Sequence, residues 1–461
     1  MSDLSHKRAA GRAKQRHPNK LDQVGSPRNL RRTGIVVVIA LAVATCWFSG
    51  ACSLWPMLLA NKALANRSLD SALDWLQTAE WLHGDPASIA LLRARVNRRL
   101  GDLPAMEQDL QRAVDFGATA ERVGQERTLA IAQVGRLHEV EETLKQWLKN
   151  PQEDGADLCD AYTNGLASQG RLTETELLLN AWEVGFPRDP KPHVKRGRIA
   201  EHALAYDAAE AEYRAALKKN PDYPTALYAL GRLLLDRKRP AEALPMFRRC
   251  AEVSSGAAAA ARIGEGSCLR SLGDVALARQ VLEAVVSLDE NSLDKAYLQI
   301  GFRSGGAPAA LELGKLESSE QNYIAAEKWL RRAVTADPYD LDARYAWAVA
   351  LRGIDRKHEA AEEFEHVSRV RKLLAETEAW QTHLAEHPDD VETRYKVAMI
   401  YIQHSSPKSG IYWLQSVLAH DPTHQPTHRA LAEYYEAHKD EVASYASLAE
   451  YHRRMISHES H

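Results

Sequence analysis

The side chains in this sequence with the types and spacing for chemistry are histidines and cysteines. Twelve of the eighteen histidines fall from His358 onward, and His420, His424 and His428 recur at every fourth position. That is the spacing that places imidazoles on one helix face, where they could hold a zinc ion. Pro422 and Pro426 interrupt the face, and Asp421 is the one carboxylate beside it. The sequence therefore favours solvated turn histidines that give a surface sensitive to acid, over a metal site. Cys159, Cys250 and Cys268 stand alone on apolar stretches, and Cys46 and Cys52 lie in or beside an uncharged segment. None forms the C-x-x-C spacing of a redox or haem site, so packing is their expected role. The chain holds no P-loop, G-x-G-x-x-G, H-E-x-x-H or G-x-S-x-G, and no motif calls for a cofactor.

The elements that must carry these residues follow a period of 34. At that offset residues 190–222 overlie 224–255: Gly197 meets Gly231, Ala209 meets Ala243, Tyr213 meets Phe247 and Ala216 meets Cys250. Each unit holds two apolar stretches of helical spacing, parted by a polar turn such as residues 236–239. Ala209, Tyr213 and Ala216 share one face of the second helix, where the alanines admit a close neighbour and the ring fills the gap between them. Gly197 and Gly231 fall inside first helices, where glycine costs up to ~1 kcal/mol relative to alanine, so a close helix crossing is expected there. Prolines 187, 221, 338, 388 and 422 mark the ends of second helices.

With these landmarks the chain resembles the tetratricopeptide repeat family. The best units are residues 190–223, 224–257 and 308–340, the last with Leu313-Gly314, Ala326, Leu330, Ala333 and Pro338 in order. Weaker units run over 259–291 and 390–424, divergent ones over 87–116, 120–151 and 157–187, and Ser71 to Trp81 reads as the second helix of a partial first unit. The resemblance implies an all-α fold, a right-handed α–α superhelix of stacked helix pairs with a concave, ligand-binding groove. It implies divergent units over 62–152, central units over 153–291, an interrupting loop over 292–307 and C-terminal units over 308–461. About sixteen extra residues near 365–383 keep an apolar stripe and read as a lengthened or added helix.

In this family first-helix residues line the ligand face. Carried over unit by unit, that points to Val194, Arg198, Tyr228, Arg232, Leu311, Lys315, Tyr345, Arg352, Tyr395 and Met399 as partner-binding residues. Tyrosine and arginine are the anchors a protein or peptide ligand uses. The competing reading is that the tyrosines simply pack against the next helix. Lys195 and Arg198 stand near each other, but the asparagines that complete a carboxylate clamp of the chaperone-tail type are not evident.

Residues 34–60 carry no charged side chain, long enough for an apolar helix to span a bilayer, and nine Lys or Arg against Asp3 and Asp22 precede them. The expected organisation is a disordered basic arm over 1–32, kept in the cytoplasm, and a transmembrane helix over 33–56. The repeats then lie outside the cytoplasm. A cleaved signal peptide ending near Ser49-Gly50-Ala51 is the competing reading. The chain has a formal net charge of −3 with the basic arm included, so the repeats themselves are acidic, which disfavours nucleic acid as a partner. Two functions fit: a membrane-anchored, non-catalytic scaffold that binds a protein or peptide, or an accessory subunit of an envelope complex whose partners carry the chemistry. The oligomeric state is not legible.

Overall fold

A Cβ placed on Gly197 would stand 2.5 Å from the Tyr213 ring, and the same relation joins Gly231 to Phe247 at 3.1 Å, Gly266 to Leu282 at 2.5 Å and Gly314 to Leu330 at 2.4 Å. In each unit the large side chain of the second helix thus lies directly on the glycine of the first, which is the compensation for glycine inside a helix. Ala209, Ala216, Ala243, Cys250, Ala278 and Ala326 are fully buried around these contacts. The turn inside the unit is equally periodic. Leu204, Lys238, Gln321 and Asp355 all adopt the left-handed conformation, with φ between 57° and 64°.

The computed structural model describes residues 51–149, 155–169, 171–387, 389–439 and 445–457. Among them are 23 α-helices and no strand. Helices pair as antiparallel hairpins along the chain, such as Leu54–Ala65 with Leu69–Trp81, Lys191–His202 with Tyr206–Lys219, and Pro224–Asp236 with Pro240–Val253. Pro187, Pro221, Pro338 and Pro422 each stand one residue past a helix C-cap. Pro388 and Gly170 lie outside the described residues. The extra residues near 365–383 belong to one helix of 30 residues, Lys357–Glu386, which turns Val367 and Val370 inward.

The N-terminal units are joined by a buried ion network. Arg98, almost fully buried, donates through Nε to Glu126 at 2.9 Å and through Nη2 to Asp157, while Arg99 holds the other Asp157 oxygen at 2.6 Å. Burial pushes the Asp157 carboxyl up, but the charges of Arg98, Arg99 and Arg95 overcome it and hold the group well below the usual carboxylate range.

Three expectations are corrected. Where 292–307 is expected as a loop, residues 292–299 belong to the helix Glu290–Gln299, started by Asp289 accepting the Ser292 N–H at 2.9 Å, and only 300–307 are irregular. Glycines 301, 305 and 306 follow and give the segment its loop-like composition. Of the three histidines expected to be solvated, His420 is exposed, but His424 and His428 are buried: His424 caps the helix Gln425–Ala437, and His428 Nδ1 lies 2.9 Å from His452 Nδ1. The unit expected to be partial is a complete pair, because Leu54–Ala65 supplies its first helix and buries Pro56 and Ala60. The basic arm and nearly all of the expected membrane helix lie outside the described residues, and no described helix is long and apolar enough to cross a membrane.

Candidate functional site

The helix Glu290–Gln299 lies in the groove formed by the first helices of the central units. Leu293, Ala296, Tyr297 and Ile300 recur at positions i, i+3, i+4 and i+7 and are all buried, whereas Asp294 and Lys295 on the other face are exposed. Tyr228 receives the aromatic side chains of this segment. Its ring centroid lies 5.9 Å from Tyr297, 4.9 Å from Phe302 and 5.5 Å from Phe247.

The C-terminal end of the segment meets arginines. Arg198 donates to the Gly301 carbonyl at 2.9 Å, and its guanidinium carbon stands 4.5 Å from the centre of the Phe302 ring. Cations are favoured at a helix C-terminus, where carbonyls lack partners. Arg67 comes from the other side: a Cβ on Gly301 would be 3.2 Å from both Arg67 Nη2 and Arg198 Nη2, and Gly301 has φ 72°. Only glycine meets both conditions without strain. Burial lowers the Arg198 pKa, and the Arg67 charge adds to that. Arg232 completes this end, lying 5.6 Å from Phe302 and donating to both oxygens of Glu201 at 2.7 Å. Beside it an open pocket of about 770 Å³ is lined by Arg198, Glu201, Arg232, Asp236 and Phe302.

Beyond residue 307 the groove residues lie in other surroundings. Lys315 donates to Glu312, which is buried and also accepts from Ser267 at 2.6 Å. Leu311 packs with Trp347 against Ala333 and Val334. Tyr345 is 46% exposed and lies edge-on to Phe364 at 5.4 Å, with Arg371 5.4 Å from its ring and Arg352 5.3 Å from that of Phe364. These four form an outward row, with Phe364 and Tyr345 ring to ring in the middle and a cation at each end. Tyr395 packs against His424 at 5.3 Å, and Met399 packs against the cluster around Leu414 and Tyr435.

The ten residues named from the sequence therefore do not form one surface. Val194 and Tyr228 are 5% and 7% exposed and, with Arg198 and Arg232, face the chain's own segment; Tyr345 and Arg352 face solvent; the other four pack locally. Sequence reasoning missed Phe302, Tyr297 and Gln299, although the apolar spacing from Leu293 to Ile300 carried the signal. It also missed Asp160 and Asn164, which hold Lys195 and leave Arg198 to the carbonyls. No group of three or more His, Cys, Asp or Glu placed to hold a metal ion occurs among the described residues. Burial pushes the thiols of Cys159, Cys250 and Cys268 up to about 12, far from the range of a reactive thiolate.

The profile of the tetratricopeptide repeat matches residues 194–257 and 240–292. A curated relative, the Protein CTR9 homolog of Arabidopsis thaliana, is 28% identical over 149 residues; these are 30% of this chain and 14% of the relative, so the chain spans a small part of that protein. Among solved structures, YrrB, described as a TPR protein with an unusual peptide-binding site, is 21% identical with a TM-score of 0.34, covering 44% of this chain and 96% of its own. The human IFIT1 dimer with m7Gppp-AAAA is 14% identical with a TM-score of 0.40, covering 82% of this chain and 90% of its own.

Proposed function

Because this chain is a tetratricopeptide repeat protein, we propose that it is a non-catalytic scaffold that binds a protein or peptide partner on the outward row of Arg352, Phe364, Tyr345 and Arg371. The exposure of Tyr345 carries this reading: aromatic and guanidinium groups offer large contact area at modest entropic cost, and here they are not covered by the chain's own helices. A photoreactive residue at position 345 of the full chain tests it. The scaffold reading expects capture of a discrete protein, abolished by Arg352→Ala with Arg371→Ala. Capture of the same proteins from position 324, an exposed site on a second helix, would sink it. One stoichiometric complex among the products would favour an accessory subunit of a larger assembly; many short peptides would favour an adaptor.

A membrane-anchored setting is the finer part of this proposal. It is supported by the uncharged residues 34–60 and by the apolar start of the helix Leu54–Ala65, where Leu54, Trp55 and Leu58 are 66%, 69% and 65% exposed. Trp81 is exposed at the same end of the hairpin, where Gly84 meets Ser53. Tryptophans at such a position suit a membrane–water interface. Alkaline extraction of membranes, followed by protease treatment of intact cells, checks this. Release of the chain by extraction would end the anchored reading, and protection from external protease would end the extracytoplasmic one.

A further inference from the structure

The segment from Glu290 to Phe302 is seated as a ligand would be. It is an amphipathic helix of ten residues laid by one face into a groove, and it pairs with no hairpin partner of its own. The side that receives it is incompletely satisfied. Arg67 Nε, Arg198 Nε and Arg232 Nε are buried and have no hydrogen-bond partner among the described residues. A buried donor without a partner is costly, so the resident segment leaves interactions unmade that a better-fitting occupant would make. The tether from the segment to the next helix, Pro308–Ser319, contains Gly305 and Gly306, both in the left-handed conformation that glycine adopts without strain.

We propose that residues 290–302 are an exchangeable occupant of the groove, and that the partner they exclude is an amphipathic helix presenting the same face, Leu-x-x-Ala-Tyr-x-Gln-Ile-Gly-Phe, its glutamine taking the place of Gln299 on Leu69 and Asp70. Its aromatic residues take the places of Tyr297 and Phe302 on Tyr228, and its C-terminal carbonyls take those of Ile300 and Gly301 on Arg198. This site is separate from the row around Tyr345, so either proposal can fail without the other.

The test uses the full chain and a labelled peptide of residues 288–304 with blocked ends. The Tyr297→Ala, Phe302→Ala double variant leaves the groove intact and empties its anchors; it is expected to bind the peptide about tenfold more tightly than the wild type, whose groove is filled. Adding Arg198→Ala should abolish that binding. Equal binding by wild type and variant, or none by a variant with native helical content, overturns the proposal. Hydrogen exchange on the wild-type chain keeps the idea testable should the variant not fold. Amides of 293–302 are expected to exchange about tenfold faster than those of the flanking helices Pro224–Asp236 and Ala258–Leu272. Exchange in step with those helices would show a segment that opens only with the whole unit, and would contradict exchange of occupants.

Discussion

Gln299 caps Leu69: its side-chain oxygen accepts the Leu69 N–H at 2.8 Å across 230 residues of chain, and its amide nitrogen donates to Asp70 at 2.7 Å. The neighbouring Ser68, at the N-cap position itself, makes no side-chain capping bond. The start of one helix is therefore completed by the end of another from a distant unit. A solenoid whose units touch only their neighbours has no such contact. Here the first units return to the centre, and Asn220, Gly256 and Gly301 all approach residues 66–70.

Replacing Gln299 with alanine strands the buried Leu69 N–H. The expected loss is about 1–3 kcal/mol in urea unfolding, with earlier proteolytic cleavage in the first hairpin than in the C-terminal units. A variant within about 0.5 kcal/mol of wild type would mean the cap contributes only what a surface contact does.

Two glycines should respond in opposite directions. Gly197→Ala drives a methyl group into the Tyr213 ring and should cost about 1–3 kcal/mol. Gly124→Ala, inside the helix Ala120–Gln133 with nothing within 4 Å of the new Cβ, should raise stability by about 0.5–1 kcal/mol. Thermal unfolding of the two variants side by side checks this, and a shift of the same sign in both would refute the packing account.

The Gly197 relation shows what was legible. The 34-residue offset aligned Gly197 with Gly231 and Tyr213 with Phe247, and local physics then required a close crossing in each unit. Contacts within a unit repeat, so the sequence states them several times. The contact between Arg198 and Gly301 occurs once and joins positions 103 apart, and no periodicity announces it. That is why the ten positions fall on first helices, whereas the segment seated against four of them is not legible in the repeat. The helix Glu290–Gln299 was hidden by the glycines that follow it, although Leu293, Ala296, Tyr297 and Ile300 spell a helical face.

Acid should loosen the C-terminal units. Burial pushes the pKa of His452 down to about 4, with His428 adding to the effect, from an ordinary value of 6.5. Below about pH 6.5 the unfolded chain takes up a proton that the folded chain refuses until about pH 4, so this group's contribution is complete above 6.5 and falls across that window. Wild type should lose thermal stability between about pH 7 and pH 5, and His452→Gln should flatten that part of the curve. Identical slopes would remove His452 from the account.

Arg98→Met should destabilise the N-terminal units by about 2–4 kcal/mol, because Glu126 and Asp157 would remain buried, each with one arginine gone and only Arg95 and Arg99 to hold them. The same substitution at Arg127, an exposed residue paired with exposed Glu107, should change stability by less than about 1 kcal/mol. Urea titrations of both variants compare the two. Similar losses would show that burial does not set the cost.

The return of the first units to the centre can be tested with one covalent bond. A Cβ at position 256 would lie 2.9 Å from the Cγ of Asp70, so the side chains of residues 70 and 256 meet directly. The Asp70→Cys, Gly256→Cys variant should form an intrachain disulfide under mild oxidation, seen as faster migration of the monomer on a non-reducing gel and absent from either single variant. A double variant that stays reduced, or that links only between chains, would contradict a chain closed around its own helix.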